Sequence, residues 1–372
     1  MKYLISFLLI TFFFVGCSSK KEVEIKISTK KDIDTISKKE QIIYNSIYED
    51  INPFIDDSII EDTIIKDTKD VMKLAFIYPS NIVAKYAKSS INTVLAYFDY
   101  KGIKYKLKIY DTLSEDEMNI QKAFNSAKEE GYTNIIALFT PRVTEFLQII
   151  DTNGLKVYLP LTNKQNIRNY NNNFIYGAIS YKDQVKKLFE FSNTNNVMFY
   201  QNSFLTNNIK NIYQSVFPNN RLSLEIKKEE NSYEEIIDDL RIENSTLFLN
   251  TSIIKTSIIL SQLRAYEIYP KVILSTQLNY NHKVFSLTQV RDRLNFILAN
   301  SIDKVDDTLK DTISFYGADV IYNWVDYSTL VGVNYLYDQN SSGLITTRIE
   351  ENQVMYKPKL FITTSYGFLE IK

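Results

Sequence analysis

Thr140, Pro141 and Arg142 place a hydroxyl and a guanidinium two residues apart, directly after the apolar run Asn134–Phe139 (NIIALF). A hydroxyl and a planar, always-charged fork at the end of a buried strand are suited to holding a carboxylate or a phosphate. Bond-breaking chemistry would need more. The chain carries no Gly-x-Ser-x-Gly, no Gly-rich phosphate loop and no His cluster at metal spacing. Its one histidine, His282, lies in the polar phrase NYNHK and reads as an exposed loop residue. The acid pairs Asp238-Asp239, Asp306-Asp307 and Glu350-Glu351 stand beside Lys or Arg in polar stretches. They read as solvated faces rather than as carboxylates opposed across a cleft. The expectation is a binding protein with no catalytic residue, no cofactor and no metal.

A different chemistry belongs to Cys17, the only cysteine, which ends an apolar leader: Met1-Lys2, then Tyr3 to Gly16, then Cys17-Ser18-Ser19-Lys20. One basic residue, an apolar stretch and a small residue before the cut predict a signal peptide over 1–16. The stretch is shorter than the roughly 20 residues a membrane span needs. Val15-Gly16-Cys17 resembles the lipobox of bacterial lipoproteins, with Phe14 where Leu is usual. That resemblance implies lipidation of Cys17 and attachment to a membrane through the lipid. Ser18 at the second mature position carries no inner-membrane retention signal. In a Gram-negative cell this implies the periplasmic side of the outer membrane; an inner-membrane or Gram-positive cell-surface anchor is the alternative.

Composition narrows the classes further. Forty-three basic against 44 acidic side chains give a net charge of −1, so no nucleic-acid footprint is present. With a single cysteine no disulfide can staple the fold. Residues 18–70 contain no Gly and one Pro, Pro53, with Lys dominant from Lys20 to Lys39 and acids dominant from Glu40 to Asp70. This predicts a lipidated, flexible tether over 17–70. As a coil of some 50 residues it would span roughly 40 Å, and fully stretched roughly 170 Å.

The elements that must position the candidate groups begin at Val71. Lys73–Tyr78 (KLAFIY) predicts a buried strand ended by Pro79, after which Ile82, Tyr86, Ile91, Val94, Leu95 and Phe98 recur at helical spacing. Lys106–Tyr110 predicts a second strand, and Ser114-Glu115 opens a helix with Ile120, Ala123, Phe124 and Ala127 inside and Gly131 as its stop. Asn134–Phe139 and Lys156–Leu159 predict two more strands, with a helix from Thr140-Pro141 between them. Such repeated β-α-β crossovers imply a parallel sheet with helices on both faces. A second unit repeats the rhythm with strands at Val197–Tyr200, Ser223–Ile226, Thr246–Leu249, Lys271–Leu274 and Asn295–Leu298. Asp319–Tyr337 reads as a helix buried on nearly all sides, and Gly343–Lys372 alternates like strands.

The order of these phrases resembles the type I periplasmic binding protein superfamily. KLAFIYP is similar to its opening strand, Tyr105–Thr112 (YKLKIYDT) to its second, and Lys128–Thr140 (KEEGYTNIIALFT) to the passage into its third. Asn173–Gln184 (NFIYGAISYKDQ) resembles the first crossing into lobe two, and Phe315–Leu336 the late helix returning to lobe one. The resemblance implies an α/β fold of two doubly wound parallel-sheet lobes. Lobe one would take about 71–177 and 303–340, and lobe two about 178–302 and 341–372. Within the superfamily, a lipid-anchored member on a long tether resembles the penicillin-binding-protein activator lipoproteins. Asp338-Gln339-Asn340-Ser341-Ser342 also matches the acidic sequon of bacterial N-glycosylation, with Asn340 as acceptor.

In such sheets ligands lie beyond the carboxyl ends of the strands. Candidate ligand contacts are therefore Ser80, Thr140, Arg142, Thr162, Asn163 and Tyr181 in lobe one and the first crossing. Lobe two offers Gln201, Asn202, Asn250, Thr251, Thr276 and Gln277. Amino-acid receptors of the family place small hydroxyl residues after strand three and an acid in lobe two. Here bulky Arg142 follows Thr140, and the loops NTSII and STQLN are uncharged. The expected function is accordingly a non-enzymatic envelope lipoprotein that binds or regulates an envelope protein, such as a cell-wall synthase. A solute-binding receptor of an ABC transporter, taking a small polar solute, is the alternative, and a structural part of an envelope machine a further one.

Overall fold

Alternation along one strand decides how the first lobe is layered. In β1 (Met72–Tyr78), Leu74, Phe76 and Tyr78 enter one apolar cluster while Ala75 and Ile77 enter another on the opposite face. A strand apolar on both faces must lie inside a sheet covered on both sides. A computed structural model describes residues 71–372, except 169, 218 and 340–342. The signal peptide 1–16, Cys17, the tether 17–70 and Asn340 lie outside the described residues.

The first sheet adds β2 (Tyr105–Asp111), β3 (Asn134–Ala137), β4 (Lys156–Leu159) and β5 (Phe174–Tyr176), all parallel, in the order β5-β4-β3-β1-β2. The second repeats that order with β6 (Asn196–Tyr200), β7 (Asn220–Glu225), β8 (Thr246–Asn250), β9 (Val272–Ser275) and β10 (Phe296–Asn300), as β10-β9-β8-β6-β7. The predicted α/β class with two doubly wound lobes is what the chain adopts.

The helices follow from local signals. Helix α1 (Ser80–Lys101) stops at Gly102, whose φ of 60° is a left-handed cap that suits a residue without Cβ. Helix α2 (Glu117–Glu129) is capped by Asp116, which accepts from the N–H groups of Met118 and Asn119. In lobe two, α3 (Tyr181–Phe189), α4 (Phe204–Val216) and α5 (Ile253–Ala265) cover the second sheet, and Ser203 with Thr206 closes a capping box on α4. Helix α6 (Asp307–Phe315) and the buried α7 (Trp324–Asp338) return to lobe one. The helix expected after Thr140-Pro141 is only a tight turn, Pro141–Val143, and one α-turn, Thr144–Leu147.

One assignment needs correction. The sequence reading gave all of 341–372 to lobe two, but β11 (Ile349–Glu350) and β12 (Gln353–Val354) join the first sheet beside β5. Only β13 (Lys359–Thr363) and β14 (Phe368–Ile371) extend the second, β13 antiparallel to β10 and β14 antiparallel to β13. The reason is geometric: the Tyr176 N–H donates to the Asn352 carbonyl at 2.8 Å, which captures the tail before it crosses. Alternating short strands carry no mark of which open edge they will find.

The chain thus crosses between lobes after β5, after β10 and after β12. Around the first crossing, Tyr158 donates its hydroxyl hydrogen to the Ser328 carbonyl at 2.7 Å, while Ser328 and Tyr356 hydroxyls donate to the Gly177 carbonyl at 2.9 and 2.6 Å. Burial pushes the Tyr158 hydroxyl well above its ordinary range. This keeps it a neutral donor.

Candidate functional site

Each sheet reverses its direction of growth once, between β1 and β3 in lobe one and between β6 and β8 in lobe two. At such a switch point the loops diverge and leave a crevice beyond the strand ends. The residues that fill or line these two crevices make up the candidate site.

In lobe one the crevice is taken by the chain itself. The Thr140 N–H donates to Glu115 Oε1 at 2.5 Å and the Thr140 hydroxyl to Glu115 Oε2 at 2.7 Å. The Ser80 N–H donates to Asp111 Oδ1 at 3.0 Å. Asp111 ends β2 and Glu115 lies in the loop after it, whose Leu113 holds a φ of 60°. Arg142 is exposed and does not join them; its guanidinium lies over the ring of Phe204 in lobe two, 5.3 Å from the centroid.

Thr162 and Asn163 are buried and serve the first crossing. The Thr162 carbonyl accepts from the Ala178 N–H at 2.9 Å, and Asn163 Nδ2 donates to the Ala178 carbonyl at 2.9 Å. Thr162 Oγ1 is left without a partner. Tyr181 opens α3 in a buried position, its hydroxyl pushed above the ordinary range by burial, with Tyr86 and Trp324 of lobe one beside it. These three residues join lobes; nothing in their contacts marks them as ligand groups.

In lobe two the switch point is open. A cavity of about 400 Å³ is lined by Gln201, Asn202, Ser203, Thr206, Ser252 and Leu278, together with the exposed Glu225, Lys227, Lys228 and Glu229. Gln201 Oε1 accepts from the Ser252 N–H at 2.6 Å across the crevice, and the Gln201 N–H donates to the Asn250 carbonyl at 3.2 Å. Asn202 Oδ1 accepts from Asn207 Nδ2 at 2.8 Å. Asn250 is buried, donates to the Thr206 carbonyl at 2.7 Å and has an unpaired Oδ1. Thr251 shares a hydroxyl contact with Thr256 at 2.7 Å.

Gln277 sits apart from the cavity. Its N–H donates to Gln184 Oε1 at 2.9 Å, its Oε1 accepts from the Ser301 N–H at 2.7 Å, and its Nε2 is buried without a partner. Thr276 caps the turn Gln277–Asn279. Of the sequence candidates, then, Gln201 and Asn202 line one cavity together, Ser80 and Thr140 each bond an acid at or after the end of β2, Arg142 is exposed over Phe204, and the others are mostly bonded within the fold. Sequence reasoning missed Glu115, Thr206 and Ser252. Glu115 had a faint signal: Ser114, Glu115 and Asp116 offer several polar groups where α2 needs one cap.

Two α/β lobes of order 2-1-3-4-5, linked by three crossings, define the type I periplasmic-binding-protein fold. Solved structures share it over the whole body. The branched-chain amino acid transporter substrate-binding protein LivJ of Streptococcus pneumoniae, in complex with isoleucine, matches at a TM-score of 0.57 and 10% identity, over 81% of this chain and 100% of that one. A branched-chain amino acid ABC transporter periplasmic ligand-binding protein of Burkholderia xenovorans matches at 0.61 and 12%, over 82% and 95%. An ABC transporter solute-binding protein of R. palustris, in complex with 4-hydroxybenzoate, matches at 0.58 and 8%, over 82% and 96%. No protein-family model matches the sequence, and no curated protein matches it.

These matches correct the expected function. They are transporter solute-binding proteins, and none of the three is a cell-wall-synthase activator. The regulator reading rests on the anchor, the tether and a cleft without the usual ligand groups; a different ligand explains that absence equally well. Among the described residues no helix is long and apolar enough to cross a membrane.

Proposed function

We propose that the chain is a non-enzymatic solute-binding receptor that delivers a small polar solute to an ABC transporter. The observation that carries this reading is the open cavity at the lobe-two switch point, lined by Gln201, Asn202 and Ser252 and by the oppositely charged Lys227, Lys228, Glu225 and Glu229. Amide and hydroxyl groups both donate and accept, and charges of both signs line the cavity, so it suits a small polar solute. Arg142 over Phe204 supports lobe closure, because it ties lobe one to the helix that borders the cavity. A lipid on Cys17 holds the receptor at the membrane, and the tether 17–70 gives it reach to its permease. Outer-membrane anchoring belongs to the same proposal and is settled by fractionating the two membranes.

Native mass spectrometry of the protein purified from its own envelope tests the function. A discrete small-molecule adduct is expected, lost on mild unfolding and reduced in Gln201→Ala. Homogeneous mass without adduct, together with unchanged solute uptake by cells lacking the protein, contradicts the receptor.

A further inference from the structure

The lobe-one switch point differs from the lobe-two one in its occupant. Gln201 bridges the lobe-two crevice with a neutral amide and leaves about 400 Å³ open. In lobe one two carboxylates reach back, Asp111 at the end of β2 onto the Ser80 N–H and Glu115 in the following loop onto both donors of Thr140. A bidentate carboxylate on a paired N–H and O–H is how an external carboxylate would itself be held, so the donors that such a ligand needs are already spent. The half-buried Glu115 also repels a second negative charge in the same crevice.

The loop is held in this arrangement against a local cost. A leucine at φ 60° is strained, because its Cβ crowds the following carbonyl. Leu113 stays there because its N–H donates to Asp111 Oδ1 at 2.8 Å and its carbonyl accepts from the Asn81 N–H at 3.0 Å. The same Asp111 oxygen therefore fixes the strained residue and the start of α1, and the loop presents Glu115 to Thr140 as a consequence.

We infer that Glu115 is a specificity-determining residue, a built-in carboxylate that excludes carboxylate-bearing solutes and leaves neutral or cationic hydrogen-bond donors as the ligand class. This deepens the receptor reading and rests on it for the ligand, but its own test is separate. The full mature protein is melted with acetate and benzoate, each beside acetamide and benzamide, at matched ionic strength.

The carboxylates are expected to leave the wild-type melting temperature unchanged. Glu115→Ala and Glu115→Ser are expected to gain about tenfold or more in acetate and benzoate affinity, the size of one charge-assisted hydrogen bond. Glu115→Gln refills the crevice with a neutral group and should gain nothing. A folded Glu115→Ala that gains no carboxylate affinity overturns the inference, because Glu115 then merely pins the loop. So does a carboxylate that stabilises wild type and loses that effect in Thr140→Val. Should both small variants fail to fold, the wild-type and Thr140→Val melts decide alone. If no solute of any class binds wild type while Glu115→Ala gains acetate, the receptor reading fails and the role of Glu115 stands.

Discussion

Asp326 shows how a single buried acid sets a pH response. It lies on α7 at 1% exposure, accepting from the Ser89 hydroxyl at 2.7 Å and from the Asp319 N–H at 3.0 Å. Burial pushes its carboxyl up to about 6 from 3.8, and the two hydrogen bonds offset only part of that. The native state therefore holds a proton between about pH 4 and 6 that the unfolded chain has released. This group contributes stability at low pH that is lost as pH rises through 6, the reverse of a salt-bridged acid. Asp326→Asn keeps the shape and removes the charge, so it should raise stability at pH 7 by about 2–3 kcal/mol at most. Thermal melts from pH 4 to 8 check this: the variant should lose the wild-type rise below pH 6. An unchanged slope would mean that Asp326 is ionised in the fold throughout. The residues that serve the two crevices are less legible than this. Asn250 stands at a strand end as sequence reading requires, yet it bonds the Thr206 carbonyl, and Thr162 and Asn163, read as crevice residues, bond Ala178 of the first crossing instead, which no local pattern encodes.

At the scale of elements, the strands were readable because alternation and apolar runs are local. Lys156–Leu159 is β4 to the residue, and the KLAFIY run is β1 extended by Met72. The tail was not readable, since β11 and β12 are two-residue strands whose sheet is chosen by Asn352 meeting Tyr176. Helix α7 carries a sharper constraint. A Cβ at Gly332 would overlap the ring of the fully buried Tyr158, beneath which the first crossing is bonded to Ser328. Alanine would favour the helix by about 1 kcal/mol, but overpacking a core commonly costs about 1–3 kcal/mol. Steric conflict with a ring that hydrogen bonds hold in place should win. Gly332→Ala is expected to lower the denaturant midpoint, and Tyr158→Leu in the same chain should recover part of the loss. Strict additivity of the two changes would refute the contact.

The whole molecule combines a described body with a leader and tether read from sequence alone. Exchange of Cys17 for Ala should abolish incorporation of labelled fatty acid and release the body to the soluble fraction; continued labelling would remove the basis of the anchor. Lobe closure is expected to depend on the Arg142–Phe204 contact, since Phe204 is 53% exposed and meets Arg142 across the cleft. Such a contact contributes about 0.5–1 kcal/mol at an exposed site. Phe204→Ala should therefore weaken solute affinity a few-fold while lowering the unfolding midpoint of the empty protein only slightly. The central claim is that the lobe-two crevice binds a small polar solute, and thermal melting against a solute library tests it most directly. A ligand at a hundredfold excess over its dissociation constant adds about 2.7 kcal/mol, which a melt resolves. The account predicts at least one neutral or cationic polar solute whose upward shift is lost in Gln201→Ala. A library without any shift, or a shift indifferent to Gln201, would contradict it.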